Sequence, residues 1–334
     1  MEQRKVQLTG GSTFTVSIPK EWARDNDINA GDEIVFHPDN DSLLLTPASS
    51  NETTRGHLDI SDREGDALMR GVMTMYVSGF DEIELSAGQI SPAQRRVIRE
   101  ATQSLVGLEV LEETVDSVLI QDLLDSAELS VHSAVERMHL IARSMLEDSV
   151  EALKNHDMEL ATDVITRDDD VDRLWYVVSR IFRGTLRSPQ MAREIGLSRE
   201  NCFDYHSSAR QLERIADHAA KISQLTHELD ATVPDSVVDS LETLCEAATE
   251  IIETAFEALF ETDPTVATRL ANEARAGVSD IDDQARVIDD QLRELDPTRA
   301  RHLGLIVDSL SRSADYGGNI AETALQKAAP TPDA

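Results

Sequence analysis

Long amphipathic helices dominate the second part of the chain and constrain its fold more than any other feature. From about residue 126 to 328, apolar residues recur at the three- and four-residue spacing of one helix face. Turn-forming segments interrupt the pattern, and two of them, Asp263-Pro264 and Asp296-Pro297, supply an N-cap and a first helical residue. The pattern predicts six helices of roughly 25 to 30 residues, well above the usual length.

The six predicted helices form two copies of three. Short segments recur in the same order about 100 residues later, which indicates a tandem duplication. We therefore expect two tandem three-helix bundles, over residues 126–228 and 234–328. The recurring segments are Val150-Glu151-Ala152-Leu153 with Phe256-Glu257-Ala258-Leu259, Asp170-Val171-Asp172 with Asp280-Ile281-Asp282, and Arg214-Ile215-Ala216-Asp217 with Arg312-Ser313-Ala314-Asp315.

The first 48 residues follow a two-residue period instead. Short apolar runs alternate with polar residues and are separated by Gly10-Gly11 and by a turn over residues 38–41. One helical turn is predicted at residues 19–23. Four short strands and one turn of helix cannot bury a core alone, so we expect residues 1–48 to pair with a second copy in a homodimer.

Residues 49–59 are predicted to be a linker, and residues 60–125 combine strand and helix patterns. Ser91-Pro92 opens a helix there, between strands predicted near residues 82–85, 107–110 and 117–120. The predicted fold class is mainly α. Two tandem three-helix bundles are preceded by a small β unit and a short α/β insert.

The chain carries 63 acidic residues against 31 basic ones, and five of the basic residues are lysines. This composition is typical of a halophilic, salt-rich cytoplasm, where carboxylates keep a surface hydrated. At molar salt the Debye length is about 3 Å, so the acidity does not exclude DNA binding. The sequence has no apolar leader and no apolar stretch near 18 residues, which predicts a cytoplasmic protein without membrane insertion.

Two segments of the first helical copy place acidic residues four positions apart. Asp168 and Asp172 form one pair, and Glu213 and Asp217 form the other. Residues at i and i+4 share a helix face, so each helix offers two carboxylates to one cation. Both pairs flank an apolar stripe, where packed helices could present them together. Spacing alone leaves a second interpretation open, an acidic flank exposed to solvent.

The sequence around these pairs resembles the PhoU family of phosphate-signalling regulators. LERIADHAAKI at residues 212–222 is similar to the family's signature, and DDDVDRL at 168–174 is similar to its other acidic motif. The resemblance covers roughly residues 126–328. It implies tandem three-helix bundles with a repeated E(D)xxxD motif that binds metal. The implied ligands are Asp168, Asp172, Glu213 and Asp217, and the implied cofactor is a divalent or iron-type metal ion.

In the second copy each acidic motif keeps its second acid and lacks its first. Val278 stands four residues before Asp282, and Ser311 stands four residues before Asp315. A second metal cluster would rest on Asp282 and Asp315. Asp280 and Glu322 are the residues that could compensate for the missing acids.

The N-terminal segment resembles a different family. VQLTGGSTFTVSIPKEW at residues 6–22 is similar to AbrB-like swapped-hairpin domains, in which two chains interlace and bind DNA through a basic face. Its combination with a PhoU unit is typical of archaea. The cations available for DNA are Arg4, Lys5, Lys20 and Arg24, although residues 1–48 hold eight acidic residues as well.

These resemblances imply a non-enzymatic, negative regulator of phosphate uptake. Its helical part would bind metal and contact the ATPase subunit of the phosphate ABC transporter or a sensor protein. Its β unit would dimerise the chain and bind promoter DNA. A competing hypothesis makes the β unit only a dimeriser, with all regulation through protein contacts. A third, a carboxylate-bridged di-metal hydrolase or oxidase, is disfavoured because no histidine follows a site acid by three residues.

Overall fold

The computed structural model describes residues 3–39, 42–48, 53–123, 130–230 and 232–330. The chain divides into two compact units, Met1–Thr53 and Thr54–Asp333. The fold confirms the predicted class, since a small β unit precedes an α/β insert and long helices arranged in bundles.

The first unit contains two antiparallel hairpins and a short helix between them in sequence. Gly10 and Gly11 turn the first hairpin with φ values of 63° and 82°, a region that residues with a Cβ rarely adopt. The elements are β1 (Gln7–Thr9), β2 (Thr13–Thr15), α1 (Lys20–Asp25), β3 (Ile34–Asp39) and β4 (Ser42–Pro47).

The turn predicted over residues 38–41 is shorter than expected. Pro38 and Asp39 still pair with Leu43 and Ser42, so the strands continue to the middle of the predicted turn. Asn40 and Asp41 lie outside the described residues.

The linker predicted over residues 49–59 is wrong for residues 55–59. These residues form strand β5 (Arg55–Asp59), which pairs in parallel with β6 (Glu82–Ser86). Gly56 allows β5 to lie close to its neighbours, because a Cβ there would collide with the side chains of Met75 and Phe80. The α/β insert therefore begins before residue 60, and residues 49–52 lie outside the described residues.

With β7 (Leu108–Glu113) and β8 (Ser117–Asp122), the insert has a four-stranded sheet in the order β5-β6-β8-β7. Its β6–β8 and β7–β8 pairs are antiparallel, and two helices contribute to its apolar core. Ser91 and Gln94 form a capping box that begins the second helix, as the Ser91-Pro92 pair predicted. The two helices of the insert are α2 (Gly65–Val77) and α3 (Pro92–Ser104).

The six long helices are present, with one short helix that the sequence did not predict. Asp157, Asp263 and Asp296 cap three of the long helices by accepting hydrogen bonds from backbone N–H groups. The helices are α4 (Val131–Asn155), α5 (Met158–Arg187), the short α6 (Pro189–Ile195), α7 (Arg199–His227), α8 (Asp235–Phe260), α9 (Pro264–Leu292) and α10 (Pro297–Ala328).

The two bundles share one continuous apolar core. Helices α4, α5 and α7 form the first bundle, and α8, α9 and α10 form the second. Helix α7 also packs on α10, and α4 packs on α8. None of the described helices has both the length and the apolar character needed to cross a membrane.

Candidate functional site

The two predicted acidic pairs lie on neighbouring helices of the first bundle. Asp168 and Asp172 lie one turn apart on α5, and Glu213 and Asp217 lie one turn apart on α7, which packs along α5. Each pair borders buried core residues, Val164 and Val171 on α5 and Leu212 with Ile215 and Ala216 on α7. Packing of the core stripes therefore fixes which helix faces carry the acids.

Burial raises the pKa values of all four carboxylates, and the charge of Asp217 contributes to the shifts of the other three. Burial, with the charges of Asp217 and Asp172, raises the pKa of Asp168 to about 7. Burial and the charge of Asp217 also raise the pKa of Asp172 to about 6 and that of Glu213 to about 7. Burial raises the pKa of Asp217. We call these four residues the carboxylate cluster.

Glu213 is the most buried member of the carboxylate cluster, with 8% of its surface exposed. Its Oε1 accepts a hydrogen bond of 2.5 Å from Nη1 of Arg210. Its Oε2 is buried and has no hydrogen-bond partner among the residues that the structure describes. A buried carboxylate oxygen without a donor is costly, and a cation satisfies it.

The donor set therefore fits a hard cation, but the side chains are not gathered around one point. No group of three or more acidic, histidine or cysteine side chains in the described part of the chain is placed to hold a metal ion. Like charges repel, and Arg210 draws Glu213 towards itself. Metal ligation would require these side chains to change rotamer.

Sequence analysis missed three residues near the carboxylate cluster: Arg210, Trp175 and Tyr176. The guanidinium of Arg210 lies 5.3 Å from the ring centre of Trp175. Burial and the charges of Asp172 and Glu213 raise the pKa of Tyr176. Arg210 stands three residues before Glu213, so the i, i+3 spacing was the available signal for their ion pair.

The second bundle brings Asp282 and Asp315 near each other, since the charge of Asp282 contributes to the raised pKa of Asp315 after burial. Arg312 lies 3.7 Å from the Asp315 carboxylate and opposes that shift. Glu322 forms an ion pair of 2.6 Å with Arg275. Asp280 lines a separate groove between α8 and α9. Glu322 and Asp280, the two residues that could compensate for the missing acids, therefore have other neighbours in the structure.

The first unit, whose hairpins lie within residues 3–39 and 42–48 and which we call the hairpin unit, lacks a core of its own. Of its described residues His37 alone is buried, and Phe14 is 73% exposed. So large an apolar surface indicates a binding partner. The exposed large apolar residues of this unit are Val6, Leu8, Phe14, Val16, Ile18, Val35, Phe36, Leu43 and Leu44.

The four predicted DNA-binding cations are exposed in this unit. Arg4 and Lys5 precede β1, and Lys20 and Arg24 lie one turn apart on α1. Residues four apart on a helix share a face, so Lys20 and Arg24 point the same way.

These features define a chain that joins a coreless hairpin unit to tandem helical bundles with a carboxylate cluster. Residues 135–226 match the PhoU domain, and residues 7–53 match the domain described as antidote-toxin recognition MazE, bacterial antitoxin. The PhoU match therefore lies in the first bundle and the MazE match at the N-terminus, so both resemblances are confirmed over these residues. The PhoU match contains the whole carboxylate cluster.

Two solved structures resemble this chain in part. The crystal structure of PhoU from Pseudomonas aeruginosa is 22% identical with a TM-score of 0.49, and the match covers 58% of this chain and 93% of that one. The phosphate transport system regulatory protein PhoU from Streptococcus pneumoniae is 17% identical with a TM-score of 0.48, over 58% of this chain and 91% of that one. The comparison with curated proteins gives no match.

Proposed function

We propose that this protein is a metal-binding negative regulator of phosphate uptake that acts in the cytoplasm as a homodimer. The observation that carries the proposal is the buried, unpartnered Oε2 of Glu213 on α7, which packs along the α5 helix of Asp168 and Asp172 within residues that match the PhoU domain. The PhoU domain supports a regulatory role and not an enzymatic one. The proposed partner is the ATPase subunit of the phosphate transporter or a sensor protein.

The carboxylate cluster would hold a hard cation such as Mg²⁺, Mn²⁺ or Ca²⁺, or iron, through oxygen atoms. A bound cation would supply positive charge that offsets the repulsion among Asp168, Asp172, Glu213 and Asp217. The buried Oε2 of Glu213 supports this assignment, because it has no donor among the described residues. The cluster would thereby fix α5 against α7 and determine the surface that a partner meets.

The hairpin unit would dimerise the chain through its exposed apolar surface. A dimer would bring two copies of Arg4, Lys5, Lys20 and Arg24 together, and we propose that they contact the phosphates of promoter DNA. In a second candidate role, the hairpin unit only dimerises the chain and does not bind DNA. The excess of acidic residues in this segment, eight against four cations, favours that alternative.

The test of the regulatory role is phosphate uptake in cells that lack the gene and carry either the wild type or a variant. Asp172→Ala/Asp217→Ala removes half of the carboxylate cluster. Asp163→Ala/Asp283→Ala is the matched control, because it removes two exposed acids that pair with Arg167 and Arg286.

In phosphate-rich medium we expect low uptake of radiolabelled phosphate with the wild type and with the control. We expect high uptake in the deletion strain and with the cluster variant. Uptake that is unchanged by deletion of the gene would overturn the proposal.

A further inference from the structure

Arg210 places a positive charge beside the carboxylate cluster. Its side chain is 41% exposed, and its Nη1 donates to Oε1 of Glu213 at 2.5 Å. Its charge lowers the pKa values of Asp172, Glu213 and Asp217 against the effect of burial. Arg210 therefore offsets part of the negative charge that a metal ion would otherwise balance.

The same guanidinium lies over an aromatic ring. The Cζ atom of Arg210 is 5.3 Å from the centre of the Trp175 ring, within the range of a cation–π contact. Trp175 in turn lies 4.8 Å from the ring of His206 on α7. One side chain thus links the acid cluster to an aromatic group on α5, and any movement of Arg210 changes the surroundings of Trp175.

A metal ion and Arg210 would compete for the Glu213 carboxylate. Arg210 occupies Oε1 and leaves Oε2 for a cation, so ligation through both oxygens requires the guanidinium to leave. The charge of Arg210 also repels an approaching cation. This competition gives a physical reason why the described side chains are not gathered around one point.

We propose that Arg210 is a displaceable counter-cation of the carboxylate cluster. It neutralises Glu213 when no metal is bound, and an incoming divalent cation moves its guanidinium away from Glu213 and Trp175. The inference rests on the proposed metal site and adds a consequence to it. Metal binding releases a half-buried, paired arginine as a free cation on the surface of α7, which a protein partner can recognise.

The first test measures Mn²⁺ affinity in the full-length protein from the electron paramagnetic resonance signal of the unbound ion. Arg210→Gln removes the competitor, so we expect Mn²⁺ to bind about tenfold more tightly, the effect of one lost charge-assisted hydrogen bond. Arg173→Gln is the matched control, because it removes the same charge from an exposed pair with Asp170 on α5. We expect the control to change affinity by less than about threefold, since exposed pairs contribute little.

The second test uses Trp175 as a reporter. The chain has two tryptophans, so Trp22→Phe leaves Trp175 as the one emitter. Mg²⁺, which does not quench paramagnetically, is added at concentrations that displace bound Mn²⁺. We expect Mg²⁺ to change Trp175 emission in this background. With Arg210→Gln added, we expect emission that is already altered without metal and that no longer responds to Mg²⁺.

The outcomes separate this inference from the metal site itself. If Mn²⁺ binds to the wild type but Arg210→Gln binds it equally or more weakly, Arg210 is not a competitor and the inference is overturned while the metal site stands. If Trp175 emission responds to Mg²⁺ equally with and without Arg210, the inference is also overturned. If no Mn²⁺ binds to the wild type, the metal site and the inference fail together.

Discussion

Arg180 of α5 and Asp122 at the end of β8 form a buried ion pair of 2.6 Å between the helical bundle and the α/β insert. Their side chains are 9% and 4% exposed. Nη1 of Arg180 also donates to the backbone carbonyls of Tyr76 and Phe80, at 2.6 and 3.0 Å. One side chain on α5 therefore holds the insert against the helix that also carries Asp168 and Asp172.

Replacement of Arg180 is expected to destabilise the protein strongly. Arg180→Met removes the positive charge from the buried Asp122 carboxylate, and breaking a buried ion pair from one side costs about 3–5 kcal/mol. Arg183→Met is the matched control, because Arg183 is exposed on the same helix, and we expect a change within about 0.5 kcal/mol. Urea unfolding measures both values. Equal stabilities of the two variants would show that the pair does not hold the insert.

The carboxylate cluster is expected to reduce stability when no metal is bound. The folded protein keeps a proton on Asp168 up to about pH 7, whereas the unfolded chain releases it near the ordinary value of 3.8. The folded state therefore binds more protons between these values, and stability falls as the pH rises through that window. We expect the metal-free protein to be less stable at pH 8 than at pH 6.

Asp168→Asn removes that charge, so it should stabilise the metal-free protein at pH 8 by about 1 kcal/mol after solvent screening is allowed for. Thermal unfolding at several pH values measures the effect. Saturating Mn²⁺ should reverse the pH slope of the wild type, because ligation needs deprotonated carboxylates. A variant that is less stable than the wild type at pH 8 without metal would contradict this explanation.

The exposed apolar surface of the hairpin unit is expected to form the dimer interface. Phe14→Asp places a charge on that surface, so we expect the dimer to dissociate. Light scattering should give twice the chain mass of 36.9 kDa for the wild type and one chain mass for the variant. Leu140→Asp is the control, since Leu140 is 62% exposed on α4 and lies outside the hairpin unit. Dissociation by both variants, or by neither, would contradict the assignment.

The four N-terminal cations are expected to set the salt dependence of DNA binding. Lys5→Ala/Lys20→Ala removes four of the eight cations of a dimer, and each phosphate contact contributes about 0.9 to the slope of log affinity against log salt. We expect the slope to become shallower by up to about 3.6, equally for every sequence tested. Lys154→Ala/Lys221→Ala is the control, because it removes the same number of positive charges from outside the hairpin unit. If wild-type protein binds no promoter DNA at molar salt, the hairpin unit is a dimeriser.

Periodicity predicted the bundles well because their helices bury a regular apolar stripe. Val164 and Val171 recur on one face of α5 and are fully buried, and the acids beside them follow from that geometry. The Asp-Pro pairs predicted the starts of α9 and α10 because an N-cap and a first-turn proline act locally.

Features that depend on contacts distant in sequence could not be predicted in this way. Strand β5 looks like a linker because Gly56 and its polar neighbours indicate a turn, yet Gly56 is needed where Met75 and Phe80 approach the strand. The role of Arg180 depends on Asp122 and on carbonyls about 100 residues earlier. Arg210 near Trp175 likewise depends on how α7 packs along α5.

The most direct test of the metal assignment is the metal content of purified protein after equilibration with Mn²⁺, measured by elemental analysis. Wild-type protein should retain bound metal after desalting. Asp172→Ala/Asp217→Ala should lose it while its circular dichroism remains helical, because the variant keeps the core residues of α5 and α7. Equal metal content in the wild type and the double variant would show that Asp168, Asp172, Glu213 and Asp217 do not form the site.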